Sequence, residues 1–168
     1  EEEEEEESVP TRTYYHLYGV AFGNNTFVAV GAGGTVRTSS DNGSSWDNGT
    51  SGNPDYYFDE VAYEDSTFIA VGQYGRIYTS SDNGTTWSRS TWNGSTSGLT
   101  GVASGNNVSI AVSSSAVIKS TDNGSNWNRI GSGVRVYDVT FGNSKFVASG
   151  ANGAIQHSSN DGENWTNG

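Results

Sequence analysis

Four segments of the sequence share one pattern: SSDNGSSW at residues 39–46, SSDNGTTW at 80–87, STDNGSNW at 120–127 and SSNDGENW at 158–165. Their tryptophans are spaced 41, 40 and 38 residues apart. A fixed period of this length is typical of a repeat architecture. The pattern continues upstream of each segment, as in GVAFGNNTFVAVGAGGTVRT at 19–38, so the repeat covers almost the whole chain from Leu17 onward.

Each repeat contains short runs of β-branched, small and aromatic residues that are separated by Gly and Asn. In the first repeat these runs lie at 17–22, 27–30, 35–39 and around Trp46. Such runs predict strands, and no segment favours a long helix. Four strands in about forty residues match one propeller blade. The sequence therefore predicts an all-β fold, a β-propeller of about four four-stranded blades near 17–53, 58–97, 99–133 and 136–168.

Two apolar positions recur in the first strand of every repeat and predict the core between blades. The first position is occupied by Leu17, Phe58, Leu99 and Val136, and the second by Val20, Val61, Val102 and Val139. The ring itself has three possible forms: a closed four-blade monomer, a section of a longer protein, or part of a ring completed by other copies. We favour the last two, because an open array leaves edges that must be covered or used for assembly.

Composition fits this organisation. Gly, Ser, Thr and Asn supply 81 of the 168 residues, which suits a fold made of tight turns. The net charge of −11 comes largely from seven consecutive glutamates, and without them the chain has 12 acidic and 8 basic residues. We expect residues 1–10 to be an acidic disordered tail or tag, and 11–168 to form the propeller. The scattered Lys and Arg argue against nucleic acid as a partner, and no apolar run is long enough to enter a membrane.

The repeated Ser-x-Asp-x-Gly-x-x-Trp segments, called box turns below, have a structural interpretation. Their Asp can accept backbone N–H bonds from two or three residues on, their Gly can supply a positive φ, and their Trp can pack beneath the turn and fix the hairpin in the core. The residues concerned are Ser39, Asp41, Gly43 and Trp46; Ser80, Asp82, Gly84 and Trp87; Ser120, Asp122, Gly124 and Trp127; and Ser158, Asn160, Gly162 and Trp165. Because Asn160 and Asp161 reverse the usual order, the side-chain bonds of the fourth turn are in question.

These segments resemble the Asp-box, also called the bacterial neuraminidase repeat, which lies on a hairpin of a β-propeller blade. The longer unit, with its F-V-A-V-G-x-x-G-x-I core, is similar to the propeller of photosystem II assembly and stability factors and of related bacterial surface proteins. The resemblance implies a propeller fold. It allows three functions: a structural or adhesive module, an assembly factor that docks on a membrane-protein complex, or a sialidase-like glycosidase fragment.

The sequence gives no support for catalysis. The sialidase resemblance would require three arginines around a sugar carboxylate, but the arginines here occupy non-equivalent repeat positions. Nothing in the spacing of the other acids singles out a catalytic pair. His16 and His157 are not spaced as zinc ligands, and acidic residues do not alternate as they do in calcium loops. We therefore predict a non-enzyme with no metal and no cofactor.

Residues that vary within an otherwise repeated strand are candidates for binding. Just before the repeated valine stand Tyr18, Asp59 with Glu60, and Tyr137 with Asp138, a mixture of aromatic and acidic groups that suits a polar or carbohydrate ligand. We expect this group near one mouth of the central channel. Tyr74 and Arg76, in a loop with Gln73 and beside Trp92, form a second candidate. For both groups, ordinary solvated or packing roles are the alternative.

Eight Asn-x-Ser/Thr sequons mark possible glycosylation sites. They are Asn24, Asn42, Asn48, Asn83, Asn93, Asn107, Asn123 and Asn164. Together with the absence of Cys and Met, they favour an extracellular or cell-surface location; periplasm and thylakoid lumen are the alternatives. The first hypothesis is therefore an extracellular propeller module that contacts copies of itself, another protein or a glycan. An assembly-factor propeller is the alternative, and a glycosidase fragment the least favoured.

Overall fold

The computed structural model describes residues 15–50, 56–92, 94, 98–132 and 135–168. These residues form four antiparallel sheets of four strands, each made of four consecutive strands in chain order. The strands of blades 1 and 2 are β1 Leu17–Gly23, β2 Thr26–Gly31, β3 Thr35–Ser39, β4 Asp47–Thr50, β5 Phe58–Glu64, β6 Thr67–Gly72, β7 Arg76–Ser80 and β8 Ser88–Arg89. Those of blades 3 and 4 are β9 Gly101–Gly105, β10 Val108–Val112, β11 Ala116–Ser120, β12 Asn128–Ser132, β13 Val136–Gly142, β14 Lys145–Gly150, β15 Ile155–Ser158 and β16 Thr166–Asn167.

The predicted four-blade propeller is confirmed. In blade 1, β1, β2 and β3 fall where the sequence predicts them, but β4 follows Trp46 instead of surrounding it. The helical elements in the described residues are two 3₁₀ turns, Ala32–Gly34 and Ala151–Gly153. No helix in this part of the chain is long and apolar enough to cross a membrane. The proposed tail at 1–10, the sequon Asn93 and the blade ends at 51–53, 95–97 and 133 lie outside the described residues.

The blades pack in chain order around a common axis. The first strands are the inner ones, since β1 packs on β5, β5 on β9, and β9 on β13. We call the side of a blade that faces the preceding blade its leading face, and the side that faces the following blade its trailing face. Between blades 1 and 2, for example, Val28 and Val30 of the trailing face meet Phe58, Val61 and Phe68 of the leading face in one buried cluster.

The same packing recurs at the other two junctions. Ile69, Val71 and Ile77 of blade 2 meet Leu99 and Val102 of blade 3. Blade 3 then presents Ile110, Val112 and Val117 to Val136, Val139 and Phe146 of blade 4. Aliphatic side chains from one sheet thus interlock with those of the next, and the removal of this area from water is the main driving force for stacking the repeats.

The two outer faces of the array are not covered in this way. Within the described ranges, no comparably extensive packing joins β1 with β13. Leu17 and Val20 are 47% and 60% exposed, whereas the equivalent Phe58 and Val61 are 0% and 4% exposed. The prediction that all eight recurring apolar positions are buried is therefore wrong for blade 1, because no preceding blade lies against its leading face.

Candidate functional site

A β-bulge interrupts the inner strand of blades 1, 2 and 4 at the same repeat position, and the equivalent position in blade 3 lies just before β9. The register between β1 and β2 shifts between Leu17 and Gly19, so Tyr18 is an extra residue without a partner. Asp59 and Tyr137 are the extra residues in blades 2 and 4. In blade 3, Thr100 and Gly101 both face Val112. Bulges redirect side chains and are frequent beside functional sites.

The bulges place the acidic and aromatic candidates at the same end of neighbouring inner strands. We call these residues the bulge layer: Tyr18, Asp59, Glu60, Thr100, Tyr137 and Asp138. Tyr18 and Tyr137 are 51% and 47% exposed. The hydroxyl of Thr100 donates a 2.6 Å hydrogen bond to the carbonyl of Tyr137 and so connects blades 3 and 4. The structure thus brings the first group of candidates together.

Glycines in blades 1 and 3 leave room for the carboxylates of the blades that follow them. A methyl group at Gly19 would lie 2.8 Å from the Cα and Oε1 of Glu60, and one at Gly101 would lie 3.0 Å from Oδ1 of Asp138. Each carboxylate also accepts the backbone N–H of the next residue, at 2.9 Å for Glu60 and 2.8 Å for Asp138. Fixed in this way, the two acids cannot turn freely away from the layer.

The electrostatics of the layer are those of carboxylates without a counter-ion. Burial raises the pKa of Glu60, and the negative charges of Asp138 and Asp59 raise it further, although the Val61 N–H opposes the shift. Burial also raises the pKa of Asp59. In the described part of the chain the one ion pair, 2.6 Å between Nζ and Oε1, joins Lys119 to Glu163. A cationic group placed here would relieve the repulsion among three carboxylates.

The second candidate group has a different partner from the one expected. The guanidinium carbon of Arg76 lies 3.3 Å from the ring centroid of Tyr56 and 5.3 Å from that of Tyr74. Trp92 instead packs against the core between blades 2 and 3. Arg76 is therefore held between two tyrosine rings in a cation–π arrangement, while Tyr74 remains 69% exposed.

The box turns are closed by a fixed set of hydrogen bonds. In the first, the Ser39 hydroxyl donates to Oδ1 of Asp41 at 2.7 Å and accepts from Gly43 N–H at 2.9 Å. The same Oδ1 accepts from Ser45 N–H at 2.9 Å, four residues on instead of the predicted two or three. The turn glycines have the positive φ expected of them, for example 84° at Gly43.

These bonds explain why the box aspartates are acids of low pKa. Hydrogen bonds from the side chain and backbone of Ser45, and from Ser39, lower the pKa of Asp41 from 3.8 to about 2. Bonds from Thr86 lower the pKa of Asp82. For Asp122, burial raises the pKa, but bonds from Asn126 and Ser120 outweigh it and the pKa is lowered. Carboxylates committed to turns in this way are poor proton donors.

The fourth box turn forms in spite of its altered order. Oδ1 of Asn160 accepts from the Ser158 hydroxyl at 2.9 Å and from Asn164 N–H at 3.0 Å, so the amide oxygen replaces a carboxylate oxygen. Gly162 N–H donates to Ser158 at 2.9 Å. Asp161 has a φ of 54°, the left-handed region that Asn42 occupies in the first turn. The reversed pair therefore retains the bonds that define the turn.

The box tryptophans differ in burial. Trp127 is 5% exposed and its indole N–H donates to Gly124 O at 2.8 Å. Trp87 and Trp165 are half-buried, and the indole nitrogen of Trp165 has no partner. Trp46 is 41% exposed, so the prediction that each Trp is fixed in the core is wrong for the first repeat. Its ring lies on the uncovered leading face of blade 1.

The sequons fall mainly on turns. Asn42, Asn83 and Asn123 occupy left-handed positions in box turns, with φ of 60°, 60° and 55°. Asn24 donates a 2.9 Å side-chain bond to Asn83, which ties the hairpin of blade 1 to the box turn of blade 2. Asn107 and Asn164 are exposed, and Asn48 lies in β4. Glycosylation at these sites stays a prediction.

Among the described residues, no group of three His, Asp or Glu side chains is placed to hold a metal ion. His157 lies in β15 and His16 stacks on Tyr18, with ring centroids 6.3 Å apart. Neither histidine therefore belongs to a recognisable catalytic arrangement.

Sequence reasoning missed two features that the repeat alignment contains. Phe58 and Val61 are both buried although they are three residues apart, a spacing that strict strand alternation forbids and that a bulge allows. In addition, an aromatic residue in one blade lies over a glycine in the preceding blade, as Tyr63 does over Gly23. Comparing each repeat with the next, position by position, would have revealed this pairing.

The solved structures that this chain resembles belong to the same class of protein, the β-propellers. No protein-family model matches the sequence, and curated proteins give no significant match. Among solved structures, YCF48 from Cyanidioschyzon merolae superposes with a TM-score of 0.72 at 21% identity over 95% of this chain and 58% of that chain. A structure of YCF48 bound to D1 peptide gives 0.71 at 20% identity, with 93% and 55% coverage.

A designed protein is also similar. The computationally designed Ika4 protein gives a TM-score of 0.64 at 12% identity, over 85% of this chain and 90% of that one. The present chain thus spans a little over half the length of the YCF48 chains that it resembles. At these identities the likeness establishes the fold.

Proposed function

We propose that this chain is a non-catalytic, protein-binding β-propeller that holds a basic segment of a partner protein against its bulge layer. One observation carries the proposal: Asp138 and Asp59 act electrostatically on Glu60 at one end of the inner strands, and none of the three has an ion-pair partner among the described residues. Tyr18 and Tyr137, in the same layer, are 51% and 47% exposed. A lysine or arginine would pair with the carboxylates, and its aliphatic stem would contact the tyrosine rings. Tyr74, held beside Arg76, is a further exposed aromatic residue of blade 2.

The structural neighbours support a protein partner more than a glycan. One YCF48 structure contains a bound D1 peptide. This observation favours the second functional hypothesis, an assembly-factor propeller that docks on a membrane-protein complex, over an extracellular adhesive module. We accordingly propose the alternative location, thylakoid lumen or periplasm. The resemblance of the four box turns to Asp-boxes supports a structural role for their residues. A self-assembling role depends on the outer faces of blades 1 and 4 instead of the bulge layer.

Peptide titration tests this proposal. A lysine-containing peptide and an arginine-containing peptide of equal length are titrated into the full chain by calorimetry, beside the same peptides with lysine and arginine replaced by glutamine. We expect the basic peptides to bind and E60Q/D138N to weaken them at least about tenfold, because two charge-assisted contacts are lost. Raised salt should weaken binding too.

The matched control is D161N/E163Q, which also removes two negative charges but in the fourth box turn. It should leave binding unchanged if the layer, and not the net charge, is responsible. Equal loss in both double variants, or equal binding of the basic and glutamine peptides, would refute the proposed site. Absence of binding by either basic peptide would refute a basic-segment partner altogether.

A further inference from the structure

Each junction between blades has a matched pair of residues near the end of the inner strands. A methyl group at Gly23 of blade 1 would overlap the ring of Tyr63 in blade 2, and one at Gly105 of blade 3 would overlap the ring of Phe141 in blade 4. Between blades 2 and 3 both members differ: Glu64 replaces the glycine and Ser104 replaces the aromatic residue. There the Glu64 carboxylate accepts the N–H of Asn107 of blade 3 at 3.2 Å. A glycine thus accompanies a ring, and a long side chain accompanies a small one.

At the two ends of the array, each member of this residue pair is present without its partner. Phe22 of blade 1 occupies the ring position, and its side chain is 54% exposed. Gly142 of blade 4 occupies the glycine position and has nothing within 4 Å of where a Cβ would be. By the rule of the interior junctions, Phe22 is the residue that fits over Gly142.

The box-turn glycines also contact the preceding blade inside the array and lack this contact in blade 1. Gly84 packs on Thr38 and Val28 of the preceding blade, and Gly124 packs on Ile69 and Thr79 in the equivalent way. Gly43, in blade 1, has nothing within 4 Å. Blade 4 offers the corresponding surface on its trailing face, where Val147 and His157 occupy the repeat positions of Val28 and Thr38.

The remaining side chains of the two outer faces are also complementary. The leading face of blade 1 contains an apolar depression of about 420 Å³, lined by Leu17, Tyr18, Gly19, Val20, Ala29, Arg37 and Trp46. The trailing face of blade 4 projects Ile155, 48% exposed, at the repeat position where Val36, Ile77 and Val117 pack into the three interior clusters.

From these matches we infer that the leading face of blade 1 docks on the trailing face of blade 4 of a second copy, with Phe22 over Gly142 and Ile155 in the depression. The contact is head to tail, because the two faces differ. Each chain has one face of each kind, so a pair of copies can satisfy both faces of every chain as one larger ring. Blade 4 has Thr140 and Ser149 where blade 1 has Ala21 and Val30, so its face is more polar than an interior one. We therefore expect reversible association.

Mass measurement of the full chain at a series of concentrations tests this inference. We expect light scattering to report twice the 17.8 kDa of the chain at high concentration, with a return to 17.8 kDa on dilution. F22S, which removes the ring, and G142E, which fills the space for it, should each weaken association by about tenfold or more. Gly142 has open space around it, and Phe22 is 54% exposed with its ring on Phe27 of the same hairpin, so circular dichroism should show both variants folded.

The combined variant F22S/G142E is the decisive arm. It recreates the Glu64 and Ser104 pairing of the junction between blades 2 and 3, so it should restore the dissociation constant to within about threefold of wild type. Y57S, at an aromatic residue of blade 2 that is 41% exposed, is the control and should associate normally.

Three results would overturn the inference. A mass of 17.8 kDa at the highest attainable concentration would show that the faces do not associate. Weakening by F22S but not by G142E would indicate that two leading faces meet. Failure of F22S/G142E to recover association would contradict the proposed register. The docking face shares Tyr18 with the peptide site but not its carboxylates, so E60Q/D138N should leave the mass unchanged.

Discussion

The leading faces of blades 1 and 2 have nearly the same sequence pattern and opposite environments. Leu17 and Phe58 occupy one repeat position, and they are 47% and 0% exposed. Trp46 and Trp87 occupy another, and Trp46 is the more exposed. The difference arises because blade 1 packs against this side of blade 2, whereas none of the described blades packs against the same side of blade 1. In a repeat protein the sequence of one unit specifies which face is apolar, while the neighbouring unit decides whether that face stabilises the fold.

The largest contrast is expected for Phe58→Ala and Leu17→Ala. Phe58 is fully buried between blades, so its truncation should lower the free energy of unfolding by about 3–5 kcal/mol. Leu17→Ala should cost about 0.5 kcal/mol or less, because the side chain is half exposed. Urea unfolding at a concentration where the chain is a monomer measures both. Equal losses would mean that blade 1 is covered in solution even in the monomer.

Trp127→Ala and Trp46→Ala sharpen the comparison for one side chain in two environments. Trp127 is buried and bonded to Gly124, so we expect a loss of about 3–5 kcal/mol in the free energy of unfolding. Trp46 also donates to its turn, to Gly43 O at 3.2 Å, but is exposed, so roughly 1 kcal/mol is expected. The chain has five tryptophans, so the signal that each variant loses is compared with wild type. The fluorescence lost in W46F should be the part that iodide quenches, and the fluorescence lost in W127F the part that is protected. Equal quenching in the two variants would contradict the difference in burial.

A smaller contrast separates the box turns themselves. The Asp82 carboxylate accepts three bonds, from the Ser80 hydroxyl and from the Thr86 N–H and hydroxyl, while Asn160 accepts two as a neutral amide. Asp82→Ala should therefore lower the free energy of unfolding by about 1–3 kcal/mol, and Asn160→Ala by roughly half as much. Thermal unfolding of both variants provides the measurement. A larger loss for Asn160→Ala would show that charge does not strengthen the turn.

The smallest effect is expected in the pH dependence of stability, because the box turns and the bulge layer change the free energy of unfolding in opposite directions as the pH falls. The lowered pKa of Asp41 gives stability that is fully present above 3.8 and is lost as the pH falls toward about 2. The raised pKa of Glu60 gives the opposite sign: the folded state binds this proton more readily, so stability rises as the pH falls from neutral toward 4.5. Urea midpoints should therefore pass through a maximum on the acid side of neutral. E60Q should flatten the decline above this maximum, and an unchanged decline would exclude Glu60 as its source.

The period of the sequence was sufficient to predict the blades, the four strands in each and the positive φ of the turn glycines. These features are local, because each depends on residues within one repeat. The exposure of Val20 and Trp46 is not a local feature, because it depends on whether another blade packs against blade 1. The repeat pattern does not contain that information. The bulge at Asp59 was hidden for a different reason: the alternation of strands was assumed to be unbroken, although the three-residue spacing of Phe58 and Val61 already required a break. The partnership of Arg76 with Tyr56 joins a strand to a loop of irregular sequence, which no repeat position could indicate.

Each sheet that the described residues form consists of four strands that follow one another in the chain, so one sheet corresponds to one repeat. Duplication of the gene segment that encodes one repeat would therefore add one complete sheet and would leave the existing sheets intact. The new sheet arrives with both halves of its contact, the glycine or long side chain on one face and the ring or small residue on the other. An added blade would therefore already carry both surfaces that a junction needs. The Glu64 and Ser104 pair shows that a junction can have different residues on both sides and still pack.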